Sequence, residues 1–289
     1  MTDCFAHHAS AQKTAWAALA DSSATLALTL AARARPLPKL NWRDALAEQV
    51  ARACPLSLEQ LTADPALVRG IIVRSQYFDQ GVCHAGLRAG SLVLTLGAGL
   101  CTRRARLAGI LDPAVGWFNV DLPEVIAVRQ LCLPPVAGER NWAASLTQTG
   151  WLDAAGLCVD APHALVLEGV LPYLSTDDAR GLLVTIADYF VRYGLRGQIL
   201  ADFLHPAMVA PSAQGGVHLP VRGGAIDATE LIAGHPGLHI LAEHHPFAEF
   251  SAGHQQFSAD FLAQHQRPPY TLVCLAVGLP EGKENDGLV

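Results

Sequence analysis

Apolar residues in the middle of the chain come in short unbroken runs, and most of these runs stop at glycine or an acid. The runs are Ser91–Gly97, Gly116–Val120, Ala164–Glu168 and Gln198–Phe203. Their length and bounding residues are those of buried strands. Helical stretches lie between them, at about 102–110, at Leu122-Pro-Glu-Val-Ile126 and at Thr176–Tyr193, with a weaker strand at Trp142–Leu146. Strand and helix in alternation predict an α/β fold, a doubly wound and mostly parallel sheet. Upstream, residues 7–53 read as alanine-rich helices broken at Arg35-Pro-Leu-Pro38. Asp64-Pro65 is a cap followed by proline in the first turn. It opens a helix that carries Arg74, Tyr77, Phe78 and Asp79 and is expected to end near Gly90.

The pattern changes after the fifth strand. Residues 205–225 are rich in proline and glycine and show no period, which predicts a lid inserted after that strand. A short helix at Asp227–Ala233 precedes two late apolar runs, His239–Phe250 and Tyr270–Val277. With no ordinary helix expected between them, they read as an antiparallel hairpin at the sheet edge. The organisation is thus a helical cap over 1–63, a core over 64–280 that includes the lid, and a flexible tail over 281–289.

Composition removes several classes of function. The chain has 289 residues, 51% of them hydrophobic, and a formal net charge of −6. Its arginines are scattered, with no basic stripe, so no nucleic-acid partner is expected. No apolar stretch reaches membrane-spanning length and no leader pattern precedes residue 14, so no membrane partner is expected and the location is read as cytoplasmic. The seven cysteines are dispersed and form no Cys-x-x-Cys pair, which suits reduced thiols. The histidines, including His244-His245, lack metal-ligand spacing, and no metal is expected.

The candidate chemistry lies where the first strand meets Gly97-Ala98-Gly99. A Gly-x-Gly turn lets backbone approach a ligand closely. Asp121 ends the next strand 24 residues after Gly97, where an acid can grip two ribose hydroxyls. Asp121 also suits the role of cap for the helix that begins at Leu122-Pro123. A dinucleotide site wants a third glycine beneath its pyrophosphate, and this chain has Thr102 there. S-adenosylmethionine has no phosphate and needs no such glycine. Two alternatives stay open at this point: an NAD(P)-dependent oxidoreductase and a degenerate binding module on the same fold.

Three blocks occur in order: Leu96-Gly-Ala-Gly-Leu-Cys-Thr-Arg103, Trp117-Phe-Asn-Val-Asp-Leu-Pro-Glu-Val-Ile126 and Leu167-Glu-Gly-Val-Leu-Pro-Tyr-Leu174. With them the chain resembles the leucine carboxyl methyltransferase family, which includes tetracenomycin-type polyketide O-methyltransferases, over about residues 13–278. The resemblance implies a Rossmann-like class I methyltransferase with a seven-stranded sheet and S-adenosylmethionine as cofactor. It implies that Arg74 and Lys13 bind the methionine carboxylate, that Gly97 lies beside the methionyl part, and that Asp121 holds the ribose. Glu168 would lie near the amino group and the sulfonium. The family's usual Asp-Leu pair at the adenine is Ser145-Leu146 here, so the serine hydroxyl or the Leu146 N–H would have to serve the adenine.

The expected reaction is O-methylation of a carboxylate or a hydroxyl on a small molecule or peptide. A carboxylate is already ionised at neutral pH and needs no base, which favours a methyl ester in a chain with no histidine–carboxylate pair in view. Arg222 is then the expected substrate anchor. For a hydroxyl acceptor, the candidate bases are Tyr173 and His205.

Overall fold

The computed structural model describes residues 14–16, 19, 22–54, 62–209 and 221–279. Three helices come before the sheet: α1 (Ser22–Arg33), α2 (Ala45–Ala53) and α3 (Pro65–His84). The sheet strands and their connections are β1 (Leu92–Leu96), α4 (Arg103–Arg106), β2 (Gly116–Asp121), α5 (Pro123–Cys132), β3 (Glu139–Ala143), α6 (Gly150–Ala155), β4 (His163–Leu167), α7 (Thr176–Arg192) and β5 (Gly197–Leu204). The chain then forms α8 (Ala228–Ile232), β6 (Leu238–His244), α9 (Ala252–His265) and β7 (Tyr270–Val277). The seven strands form one sheet in the order β3-β2-β1-β4-β5-β7-β6. All neighbours pair parallel except β7, which runs antiparallel to both β5 and β6.

The unbroken apolar runs follow from helices on both faces. Leu94, Leu96, Leu165, Leu167, Ile199 and Ala201 point to the face covered by α7 through Leu182, Leu183, Ile186 and Phe190. Their neighbours Val93, Ala164, Val166 and Leu200 point to the opposite face, under Phe78 and Val82 of α3. Both residues of each alternating pair are therefore buried, and the sequence shows no polar alternation.

α1 is apolar on two sides. Leu28 and Ala32 pack with Ile72 of α3 and with Trp42, whereas Ala27 and Leu30 pack with Val50 of α2, Leu100 and Val125. A helix wedged in this way needs no polar face there, which explains its run of alanine and leucine. It also lays Thr25, Leu26, Thr29 and Arg33 over the end of β1, where they line a cavity with Gly97–Gly99.

Four sequence expectations are corrected. The third strand is Glu139–Ala143, earlier than Trp142–Leu146; it is a sheet edge, half polar, and its hydrophobic pattern is faint. The helix expected over 102–110 is the single turn of α4. The helix opened by Asp64 ends at His84, before Gly90. The two late strands are not a hairpin: α9, 14 residues long, lies between them, and β7 pairs with β5 as well as β6. Residues 210–220 of the expected lid and the whole of the tail lie outside the described residues. Beyond that segment the chain is tied down: Arg222 N donates to Pro172 O at 2.8 Å and Ala225 N to Leu204 O at 2.9 Å. Among the described residues, no helix is long and apolar enough to cross a membrane.

Candidate active site

The carboxyl ends of β1, β2, β4 and β5 gather on one edge of the sheet, the edge where open α/β sheets bind ligands. At β1, Gly97 takes a left-handed φ of +66°, and a Cβ there would stand 2.6 Å from Val170 Cγ2. Gly97 N and Ala98 N both donate to Val120 O, which draws the turn toward β2. Asp121 clamps it: Oδ2 accepts from Gly99 N at 2.7 Å and Oδ1 from Leu122 N at 2.7 Å. Burial pushes the Asp121 carboxyl above its ordinary value, against these two N–H groups and Arg129. Asp121 thus serves both the turn and the first residue before α5. Leu122 is exposed beside it.

Gly97→Ala is expected to cost about 1–2 kcal/mol of stability from the left-handed conformation alone. The new methyl would also push on Val170 and narrow the cavity. Denaturant titration and calorimetry with S-adenosylhomocysteine would measure both effects. A variant with unchanged stability and affinity would refute this account of the turn.

Beneath the turn lies a buried set of ions. Glu168 follows β4, and its Oε2 accepts from Arg103 Nη2 at 2.5 Å. Its Oε1 accepts from Arg74 Nε at 3.2 Å and from Ser75 Oγ at 2.9 Å. Arg103, fully buried, also donates to Asp79 at 2.7 Å, and Arg106 joins Asp79 to Asp44 with bonds of 2.7 Å. Arg74 Nη1 reaches Asp202 Oδ2 at 3.4 Å. Asp202 accepts from Gly169 N at 2.6 Å and from Tyr270 Oη at 2.7 Å. Burial alone would push the Glu168 carboxyl up, but Arg103, Arg74 and Arg33 together hold it well below the usual carboxylate range.

Arg33 stands apart in this set. It is buried, its Nη2 donates to Leu100 O at 2.9 Å, and its Nε has no hydrogen-bond partner among the described residues. Burial lowers its pKa, an effect that Glu168 and Asp44 only partly offset. A buried N–H of a cation without a partner is costly unless a ligand supplies an acceptor.

Two cavities meet here. The first is lined by Arg33, Gly97, Ala98, Gly99 and Glu168, among others. The second is lined by Asp202, Leu204, Phe247, Phe250 and Tyr270, and Arg74, Gly169 and Tyr173 border both. The fold therefore brings together Arg74, Gly97, Ala98, Gly99, Glu168 and Tyr173, with Asp121 and Leu122 behind the turn and lining neither cavity. Other expected residues are elsewhere. Ser145 Oγ is spent on its own loop, 2.8 Å from Thr147 Oγ1, and Leu146 packs toward the core; neither lines either of these two cavities. His205 lines neither cavity: its Nδ1 accepts from Ala207 N at 3.1 Å and its ring packs on Phe261 and His265. The Arg222 side chain is exposed and also lines neither, although its neighbour Val221 lines the second. Lys13 lies outside the described residues. Arg33, Arg103, Asp202 and Tyr270 were not expected from sequence; a charged residue inside an apolar run was the signal available for Arg33 and Asp202.

The profile of the family described as leucine carboxyl methyltransferase matches residues 4–187. This chain belongs to that family. It is similar to the tetracenomycin polyketide synthesis O-methyltransferase TcmP of Streptomyces glaucescens, 29% identical over 187 residues, which are 63% of this chain and 66% of that protein. It is also similar to a Mycobacterium avium protein named as a candidate S-adenosyl-L-methionine-dependent methyltransferase, 30% identical over 195 residues, 65% of this chain and 54% of that protein. The chain thus spans just under two thirds of the first relative and about half of the second. A solved Thermobifida fusca structure described as a candidate methyltransferase has the same fold, with a TM-score of 0.53 at 15% identity, covering 88% of this chain and 94% of that one. The match to the family profile runs from the cap into α7, and so includes Arg33, the Gly97–Gly99 turn, Asp121 and Glu168.

Proposed function

We propose that this protein is an S-adenosylmethionine-dependent O-methyltransferase acting on a small, largely apolar acceptor. The reading is carried by one observation: a cavity at the β1 turn that holds Arg33, Arg103 and Glu168 opens beside an apolar one, and Arg74, Gly169 and Tyr173 border both. Family membership makes S-adenosylmethionine the cofactor and displaces the nicotinamide alternative. The residues suit an amino acid joined to a nucleoside. Arg33, with its unpartnered Nε, would hold the carboxylate. Glu168 would face the ammonium and Asp121 the ribose hydroxyls. Arg74 is already shared between Glu168 and Asp202, so Arg33 is the better anion anchor of the two. When bound, the cofactor supplies a methyl group activated by a sulfonium.

The chain's own task is to hold the two reactants in line and keep water away, which can lower a barrier by about 7–11 kcal/mol in favourable cases. α1 covers the first cavity with Leu26 and Leu28, and Leu67 and Ile71 of α3 continue that wall into the second. The acceptor would enter from the Phe247 and Phe250 side.

Arg33→Met separates binding from stability. Removing a buried cation with an unspent donor should leave stability unchanged or slightly higher, since an apolar side chain needs no partner. Affinity for S-adenosylhomocysteine should fall about tenfold or more, the worth of a charge-assisted hydrogen bond. Calorimetry with S-adenosylhomocysteine and with NADH on the unaltered protein tests the reading as a whole. The first should bind and the second should not; binding of neither would return the chain to the class of binding modules.

A further inference from the structure

The second cavity has the charge balance of a site for a neutral oxygen. Its walls are Leu67, Ile71, Leu204, Val221, Phe247 and Phe250. Arg74 is the one cation among its described lining residues, and it is engaged by two carboxylates, Glu168 at 3.2 Å and Asp202 at 3.4 Å. Asp202 itself lines the cavity and is buried. A carboxylate acceptor placed here would meet the charge of Asp202 with no free cation opposite it, and a buried charge without a partner is expensive. The anchor expected for such an acceptor, Arg222, does not line the cavity. A hydroxyl meets no such penalty.

A proton acceptor is also in place. Tyr270 opens β7 opposite Leu204 in the register, so the sheet fixes its position beside the end of β5. Its Oη donates to Asp202 Oδ2 at 2.7 Å, and the same oxygen, which also faces the Arg74 guanidinium, retains one lone pair that can accept from a ligand. Asp202 Oδ1 is held by Gly169 N at 2.6 Å, which fixes the carboxylate against β4.

We propose that the acceptor is an uncharged apolar alcohol or phenol whose hydroxyl donates to Tyr270 Oη, with Asp202 receiving the proton through it. This rests on the methyltransferase reading above. As the acceptor oxygen bonds to the methyl carbon, the carbon–sulfur bond breaks and its electron pair stays on sulfur as a neutral thioether. The O–H pair stays on the acceptor oxygen, its proton passes to Tyr270 Oη, and the Tyr270 proton passes to Asp202 Oδ2. Burial pushes the Asp202 carboxyl above its ordinary value against Arg74, Tyr270 and Gly169, which favours its role as the proton's destination. Tyr173, the base expected from sequence, borders the cavity without a carboxylate bonded to its hydroxyl among the described residues.

The test uses full-length protein saturated with S-adenosylhomocysteine and two probes of one shape, beta-naphthol and beta-naphthoate. Calorimetry should show the naphthol binding about tenfold tighter or more, the scale of an unpaired buried charge against a satisfied hydroxyl. Tyr270→Phe should weaken the naphthol about fivefold or more while S-adenosylhomocysteine and naphthoate affinities hold. Naphthoate binding as tightly as naphthol, a variant with unchanged naphthol affinity, or no naphthol binding to the saturated protein would each overturn the proposal and leave the methyl-donor reading standing. Loss of S-adenosylhomocysteine binding by the unaltered protein would overturn both. Should the variant fail to fold, the contrast between the two probes on the unaltered protein decides alone.

Discussion

Glu168→Gln is expected to destabilise the protein by about 3–5 kcal/mol, the cost of leaving buried cations without their counter-charge. Arg103 is fully buried and bonds Glu168 at 2.5 Å; Arg74 and Ser75 bond the other oxygen. Glutamine keeps the shape and one acceptor, but it removes the charge and turns an N–H pair toward an arginine. Asp79 still holds Arg103, which should keep the loss from being larger. Urea titration would read the change as a lower midpoint at similar slope. A loss below about 1 kcal/mol would show Glu168 to be no keystone. The dependence on pH follows from the depressed carboxyl of folded Glu168. Its contribution is fully present above the unfolded value of about 4.3 and is lost as pH falls below that toward the folded value. The glutamine variant should lack that part of the acid sensitivity.

Asp121→Ala is expected to weaken S-adenosylhomocysteine binding about ten- to hundredfold, the loss of roughly 1.5–3 kcal/mol in charge-assisted hydrogen bonding. The carboxylate accepts from Gly99 N and Leu122 N at 2.7 Å each, and in the proposed reading it would also serve the ribose. Asp121→Asn tells these two roles apart. Asparagine can still accept one N–H, so the turn should hold better than in the alanine variant, and affinity should recover only in part. Calorimetry on both variants, with thermal unfolding as the control for folding, gives the comparison. Wild-type affinity in a folded Asp121→Ala protein would place the ribose elsewhere.

The parts of the fold that were legible in sequence are those whose burial is one-dimensional. β1, β4 and β5 are covered on both faces, so their apolar runs announce them, and α7 shows a clean apolar face over Ala179, Leu183, Ile186 and Phe190. β3 is faint in the sequence because an edge strand reading Glu-Arg-Asn-Trp-Ala has little to bury. α9 leaves no trace in the sequence because only Phe261 of its residues is buried, so no stripe marks it. At the site, the glycine turn and its acid are neighbours in sequence terms and could be read. The ion set could not. Arg33, Arg74 and Arg103 come from three separate elements, and the carboxylates that Arg74 and Arg103 bond, Glu168 and Asp202, lie up to 128 residues away. Only folding shows that Arg74 has two carboxylate partners and Arg33 an unspent donor. The same distance hid Tyr270, which in sequence is one more apolar-run residue.

The antiparallel course of β7 also sets a schedule. β5 pairs with β4 at once, but it waits for its second neighbour until residues 270–277 arrive, more than sixty positions after it is made. A chain emerging from the ribosome folds its early segments first. It could close the β1 turn, pack α1 over it and pair Glu168 with Arg103 while Asp202 still lacks the Tyr270 hydroxyl. The donor half of the cleft is therefore built from early contacts, and the acceptor half is completed by late ones, from Phe247, Phe250 and Tyr270. A nascent chain stalled after α9 should acquire cofactor binding before the second cavity gains its Tyr270 wall.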